Sequence, residues 1–244
     1  EFNIYKGQLT RSYMSDKEAE EAAAKVIYDR GNEILEMSAI VYYLPMKTLP
    51  KDTLAVYNEA MDTYKQVLKG KDLDVLGKKL SEKEKEKVGY EYIRCLYPMQ
   101  SAKALEDVVY TMNPGEISKP IRTEMGYYIV KLHKRKPNPG SVQVAHILFA
   151  FPENANKKAK SKTFKEANEI LKKIEDGEDF AELAKEYSAD VNTASNGGVL
   201  PYATPGELTV RFEEAAFSLS SPGEISPVIE TPMGYHILKL VGKK

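Results

Sequence analysis

The chain is poor in the residues that most often announce a chemistry. Among 244 residues there is one cysteine, there are three histidines, and there is no tryptophan. A single cysteine excludes an internal disulfide framework and leaves the redox compartment open. Cys95 is expected to be a buried structural thiol. Charge of one sign is also missing: 35 Lys and Arg stand against 36 Asp and Glu, a net charge of −1. Nothing therefore favours nucleic acid or an anionic membrane as the main partner. No apolar run approaches the ~20 residues that a membrane-spanning helix needs. A hydrophobic content of 42% and a charged content of 29% suit a soluble globular protein with room for one large or two ordinary domains. The chain begins at Glu1 with neither methionine nor a signal-like apolar segment, and is expected to be a mature or excised fragment of a longer protein.

What is there is a repeat. Gly115-Glu116-Ile117-Ser118 returns as Gly223-Glu224-Ile225-Ser226 (226 − 118 = 108), and Met125-Gly126-Tyr127 returns as Met233-Gly234-Tyr235 at the same offset. Each copy reads as a strand, then helices, then strands. In the first copy the pattern predicts a strand over 38–44, a helix lined by Leu54, Tyr57, Met61, Tyr64 and Leu68 that ends at Gly70, and a short helix over 73–80. A strand at 90–96, a helix at 102–110 and strands at 117–122 and 127–133 follow. Residues 134–140, with Pro137 and Pro139, read as a linker. In the second copy a strand at 143–149 precedes a helix lined by Phe164, Ala167, Ile170, Leu171 and Ile174. A helix capped by Asp179, another around Phe212, and two closing strands complete it. A period of about a hundred residues is too long for a solenoid, so the reading is a tandem pair of domains. The expected fold class is α+β: two units, each a small, mainly antiparallel sheet with packed helices. The expected bounds are 1–37 for an N-terminal segment, 38–136 for the first domain and 141–244 for the second. In the N-terminal segment Ser15-Asp16-Lys17-Glu18 has the form of a capping box, and a solvated connecting helix is expected from there to about Glu36.

Two of the three histidines fall in apolar strands of the second copy: His146 in Val142 to Leu148, and His236 in Gly234 to Leu240. A lone histidine on an apolar strand is most often a satisfied core residue. Two of them, with Tyr187-Ser188-Ala189-Asp190 and Asn196-Gly197-Gly198-Val199-Leu200 between, are another matter. With these motifs in this order, residues 141–244 resemble the parvulin family of peptidyl-prolyl cis/trans isomerases. The resemblance implies that His146 and His236 are a pair on adjacent central strands, hydrogen-bonded to each other beneath the substrate. It implies that Asp190 stands where the family has cysteine or aspartate, near the substrate carbonyl. Leu200, Leu208 and Phe212 match the proline pocket, half-open to substrate, and Thr231 matches a hydroxyl residue that hydrogen-bonds a histidine. Such a site needs no metal and no cofactor.

The chain departs from the family in two places. Pro201 follows Gly197-Gly198-Val199-Leu200 where a glycine is usual, and Pro227 directly follows Ser226, which puts the pocket rim in question. The first copy departs further, with Ala39, Lys83 and Tyr128 at the positions of His146, Asp190 and His236, and is expected to be a degenerate, inactive domain. Its one histidine, His133, sits in the basic run Lys131 to Lys136 and reads as a surface residue. Tandem parvulin units, one degenerate, are similar to the SurA-type periplasmic chaperones. The expected function is that of an isomerase and folding chaperone of the periplasm or cell envelope, acting on unfolded or extended proline-containing polypeptides. The alternative is a peptide-binding chaperone module without catalysis, or a purely structural domain if its own side chains fill the slot.

Overall fold

The computed structural model of the chain describes residues 17–44 and 49–244, and splits after Asn138 into two compact units. The capping box expected at Ser15 to Glu18 lies outside the described residues. Helix α1, Lys17–Arg30, stops six residues before the expected Glu36 (36 − 30 = 6). Gly31 ends it, its amide closing onto the carbonyls of Ile27 and Tyr28. Glycine is ~1 kcal/mol worse than alanine inside a helix. The residues beyond it gain more as a strand: in β1, Glu33–Tyr43, everything from Ile34 to Tyr42 is buried.

The first unit continues through α2, Pro50–Leu68; α3, Leu73–Lys83; β2, Val88–Leu96; α4, Lys103–Val109; β3, Ile121–Arg122; and β4, Gly126–Pro137. Its strands form one antiparallel sheet in the order β2-β1-β4-β3. Period-two alternation divides β1 between two cores. Leu35, Met37, Ala39 and Val41 pack with α4, while Ile40 and Tyr42 pack under α2 and α3. The residues expected as a linker from Lys134 are still strand as far as Pro137. Their cations have partners: Arg135 reaches Glu33 at 2.6 Å and the carbonyl of Met112, and Lys134 and Lys136 both reach Glu36.

The second unit repeats the frame with one strand fewer. It runs β5, Val142–Ala150; α5, Lys157–Glu175; α6, Phe180–Tyr187; a one-turn α7, Val191–Ala194; α8, Val210–Ser218; β6, Ile229–Thr231; and β7, Gly234–Lys243. Its sheet has the order β5-β7-β6. Where β2 pairs along β1, the second unit has a loop whose ladder pairing with β5 is limited to the bridges Val142–Ala203 and Ala145–Val199. In both units the strand expected after the Gly-Glu-Ile-Ser element is broken. Ile117 and Ile225 make isolated bridges, and the ladder resumes only after Pro120 and Pro227, which lack an amide donor. The α+β class and the tandem arrangement therefore stand, while α7 lay outside the expected elements. No helix among the described residues is long and apolar enough to cross a membrane.

Candidate active site

His146 and His236 stand on paired central strands. In the β5–β7 register His146 lies opposite Leu238 and His236 opposite Leu148, which makes the two histidines diagonal neighbours on one face. Their rings are nearly parallel, 16° apart, with the two Nδ1 atoms at 3.3 Å, and both residues are buried. The chain extends at both ends. His146 Nε2 lies 2.9 Å from Asp190 Oδ2 and 3.2 Å from Thr193 Oγ1, and His236 Nε2 lies 2.8 Å from Thr231 Oγ1.

Elementary chemistry gives this chain a direction. Asp190 caps α7: the Thr193 hydroxyl donates to its Oδ2 at 2.6 Å and the Asn192 amide to its Oδ1 at 3.2 Å. The Thr193 hydrogen bond, with a further one from His146, holds the Asp190 carboxyl below its ordinary range against the opposing effect of burial. A carboxylate only accepts, so His146 Nε2 carries a hydrogen and donates it. In a neutral ring Nδ1 then accepts, from Nδ1–H of His236, whose Nε2 accepts from the Thr231 hydroxyl. Burial, reinforced by the neighbouring His146, pushes His236 down to about 4, so its ring is neutral at pH 7.

The loop beside His146 is held by glycine. The His146 amide donates to the Gly198 carbonyl at 2.8 Å. Gly198 has φ +79°, and a Cβ there would overlap the carbonyl oxygen of His146. Pro201 breaks nothing, because the bonds of this loop to β5 come from residues 198, 200 and 203. Pro227 is likewise accommodated: the Ser226 hydroxyl donates to the Pro227 carbonyl and accepts from the Leu238 amide.

The Phe212 ring stands close to perpendicular to both imidazoles, with centroids 5.7 Å from His146 and 5.2 Å from His236. Leu200 and Leu208, both half-buried, pack against the same cluster. Phe212 itself is only 6% exposed, packed with Ala216, Leu238 and Leu240, so it is a core side chain rather than the wall of a half-open slot. The second unit thus brings His146, Asp190, His236, Thr231 and Phe212 together, with Leu200 and Leu208 at the flank. Thr193 completes the group and was missed in the sequence. Its one signal was its place three residues after Asp190, across the turn that Asp190 caps.

In the first unit the same register holds other residues. Ala39 lies opposite Val130 as His146 lies opposite Leu238, and Tyr128 opposite Val41 as His236 lies opposite Leu148. The Tyr128 hydroxyl turns to Met125 Sδ, and the Thr123 hydroxyl donates to the Gly126 carbonyl. Helix α3 runs through Lys83, which is exposed and paired with Glu84, where α6 stops before Asp190. A cleft of about 960 Å³ opens in this unit beside Ile93, Leu105, Met125 and Tyr128, and one of about 770 Å³ opens in the second unit beside Ala215, Ile229 and Thr231. His133 is not the surface residue that its basic neighbours imply. Its Nε2 lies 2.9 Å from the hydroxyl of the buried Ser38, and its ring stacks near Tyr92. Asp74 approaches the same nitrogen at 3.7 Å, so Ser38, His133 and Asp74 do not form a hydrolytic relay, which needs serine and carboxylate on opposite ring nitrogens. Cys95, expected to be buried, is half-buried on β2. Among the described residues no group of three or more His, Cys, Asp or Glu side chains is arranged to hold a metal ion.

A twice-repeated α+β unit, one copy bearing a buried histidine pair bonded to a helix-capping aspartate, defines the parvulin class of prolyl isomerase domain. The rotamase model, that of the PPIC-type prolyl isomerase domain, matches residues 40–134 and again 146–242, and the chain belongs to that family. The chain is also similar to Chaperone SurA of Pseudomonas fluorescens (strain Pf0-1), with 30% identity over 217 residues, 87% of this chain and 50% of that protein. Chaperone SurA of Pseudomonas syringae pv. syringae (strain B728a) is 35% identical over 144 residues, 57% of this chain and 33% of that one. Among solved structures, the peptidylprolyl isomerase PrsA from Bacillus anthracis is 39% identical over 43% of this chain and 42% of its own, with a TM-score of 0.36. The chain spans about half the length of the first two SurA relatives it matches.

Proposed function

We propose that the chain is a peptidyl-prolyl cis/trans isomerase and folding chaperone, with its catalytic site in the second unit. Its substrates would be extended, proline-containing stretches of unfolded polypeptides in the periplasm or cell envelope. The observation that carries this is the continuous hydrogen-bonded chain from Asp190 to Thr231 beneath Phe212, whose counterparts in the first unit are Lys83, Ala39, Tyr128, Thr123 and Leu105. The envelope setting and the unfolded clients rest on the likeness to SurA chaperones.

The chemistry asks little of such a site. Rotation about an X-Pro amide faces a barrier of ~18–20 kcal/mol because the C–N bond is partly double. No covalent bond is made or broken. The site must favour the twisted amide, in which conjugation is lost and nitrogen becomes pyramidal. In this reading the half-buried Leu200 and Leu208, backed by the buried Phe212, receive the proline ring and exclude water. The Asp190 carboxylate disfavours the polarised, planar resonance form of the substrate amide. The hydrogen-bonded histidine pair holds Asp190 in place, and its buried member His236, neutral at pH 7, adds no cation that would cancel the charge of Asp190.

Turnover of a proline tetrapeptide by the 244-residue chain tests this. His236→Ala should reduce kcat/KM at least about tenfold, the loss of one hydrogen-bonded member of a buried network. Tyr128→Ala, although it truncates a core side chain of the first unit, should leave it within about twofold of wild type, because the site lies in the other unit. Equal losses from the two would remove the site from the second unit. A second reading, a peptide-holding module without catalysis, draws on the cleft beside Tyr128. It would be favoured if the chain suppressed aggregation of an unfolded client and turned over no proline peptide.

A further inference from the structure

We propose that Thr193 is a positioning residue: its hydroxyl locks Asp190 beside His146 and thereby sets the direction in which the hydrogen-bonded chain of the two histidines runs. The proposal deepens the reading of the second unit as the isomerase site and rests on it.

The argument is one of counting protons. Thr193 has a single hydroxyl hydrogen, and at 2.6 Å it points to Asp190 Oδ2. Its oxygen then faces His146 Nε2 at 3.2 Å as an acceptor. The same carboxylate oxygen also takes the His146 Nε2–H at 2.9 Å, so the three groups close a triangle. The Asn192 amide holds the other oxygen. Asp190 is therefore fixed in rotation and offers only acceptors to the ring.

The far end of the chain lacks this certainty. The Thr231 hydroxyl has two acceptors in reach, His236 Nε2 at 2.8 Å and the Gly234 carbonyl at 3.4 Å. If Thr231 turned to Gly234, His236 could donate from Nε2, accept at Nδ1, and force His146 to present a bare Nε2 to the carboxylate. Two acceptors would then face each other across 2.9 Å. Only the Asp190 end forbids that reversed state, and Thr193, with the Asn192 amide on the other oxygen, keeps the Oδ2 that faces His146 an oriented acceptor.

The hydroxyl is not needed to build the turn. The Thr193 and Ala194 amides bond the Asp190 carbonyl, and the Gly198 amide bonds the Thr193 carbonyl, all through backbone. Thr193→Val keeps the branch and volume of the side chain and removes the hydroxyl alone; Thr193→Ser restores it. Among the described residues the titratable groups beside Asp190 are His146 on β5 and, behind it, His236 on β7.

The test uses the 244-residue chain with both variants and two measurements. Imidazole ¹⁵N chemical shifts at neutral pH should report His146 protonated on Nε2 in wild type and Thr193→Ser, and a mixture of tautomers in Thr193→Val. Proline-peptide turnover across pH should fall about tenfold in Thr193→Val, the loss of a hydrogen bond to a charged group. Its acid limb should move to higher pH, because Asp190 loses the hydrogen bond that does most to keep it ionised. Thr193→Ser should keep the wild-type limb. Unchanged nitrogen shifts and an unchanged acid limb in Thr193→Val would overturn the proposal, even if activity fell through lost stability. If wild type itself shows no turnover, the isomerase reading fails separately, and the nitrogen shifts alone decide whether Thr193 orders the chain.

Discussion

The two units share a frame and differ in how they use the stretch that leads from α3 to α4 in the first and from α6 to α8 in the second. In the first, residues 81–96 extend α3 to Lys83 and then lay down β2 along β1 from Leu35 to Tyr42. In the second, residues 188–203 end α6 early, wind α7, and cross β5 through two bridges. One arrangement completes a sheet; the other sets Asp190 and Thr193 over a histidine and leaves the sheet a strand short. Parts outside this stretch are common to both. Ser118 and Ser226 each accept the amide of a central strand at 2.9 Å. Glu106 and Glu213 are buried on corresponding helices and accept the amides of Ser101 and Gly206. The frame therefore does not depend on the site, and a unit can lose one while keeping the other.

The largest effect that would test this separation comes from Phe212 and its counterpart Leu105, which occupy the same place on α8 and α4 (212 − 105 = 107). Phe212→Ala should destabilise the second unit by about 3–5 kcal/mol and Leu105→Ala the first by about 2–5 kcal/mol, as large-to-small changes in a core do. Only the former should also abolish isomerase turnover. Calorimetry with a turnover assay on each variant reads both, and a loss of turnover from Leu105→Ala would break the division of labour.

Acid gives the next effect. His236 has its ring pushed down from 6.5 to about 4 by burial, so between those values the unfolded chain binds a proton that the folded one does not. Its contribution is complete above pH 6.5 and is lost as pH falls toward 4, to the extent of roughly 3 kcal/mol. The depressed Asp190 acts in the same direction at lower pH. The stability gap between wild type and His236→Asn should narrow by about that amount from pH 7 to pH 4 in denaturant titrations. A gap that stays constant would mean that the ring titrates normally.

The smallest expected effect is the most diagnostic of pairing. His146→Ala and His236→Ala should each cost about 1–3 kcal/mol, because each leaves the other's buried nitrogen without a partner. The double variant should lose less than the sum of the two. Strict additivity in the melts would show that the rings do not act as a pair.

Much of this was legible in the sequence. The repeat was carried by short turn elements, and both histidines announced themselves as single polar residues in apolar strands. What was hidden depended on burial decided elsewhere in the chain. Glu33 to Glu36 fit the end of an alanine-rich helix by local propensity, yet Leu35 is fully buried in the sheet core, and tertiary burial outweighed propensity. His133 looked solvated because its neighbours in sequence are cationic. In a strand, however, its neighbours are Lys131 and Ile129, on the face that α3 covers, where Ser38 and Asp74 receive it. Phe212 could be matched to a pocket, but its degree of burial depends on Leu238 and Leu240 from β7. Thr193 was silent because its role lies in one hydroxyl pointing back across a turn.

One feature of the frame bears on mechanics. In each unit the strand that opens the sheet is paired with the strand that closes it: Glu33 lies opposite Pro137, and Ser141 and Lys244 exchange backbone hydrogen bonds at 2.9 Å. Both ends of a unit therefore leave from the same end of an antiparallel ladder, whose hydrogen bonds lie across the strands. Tension applied through the chain would load those bonds one at a time, from the outermost inward, like a zipper rather than a lap joint. Each unit should open at low force and from its ends, and the histidine pair, five residues inside Ser141, would part early in that opening.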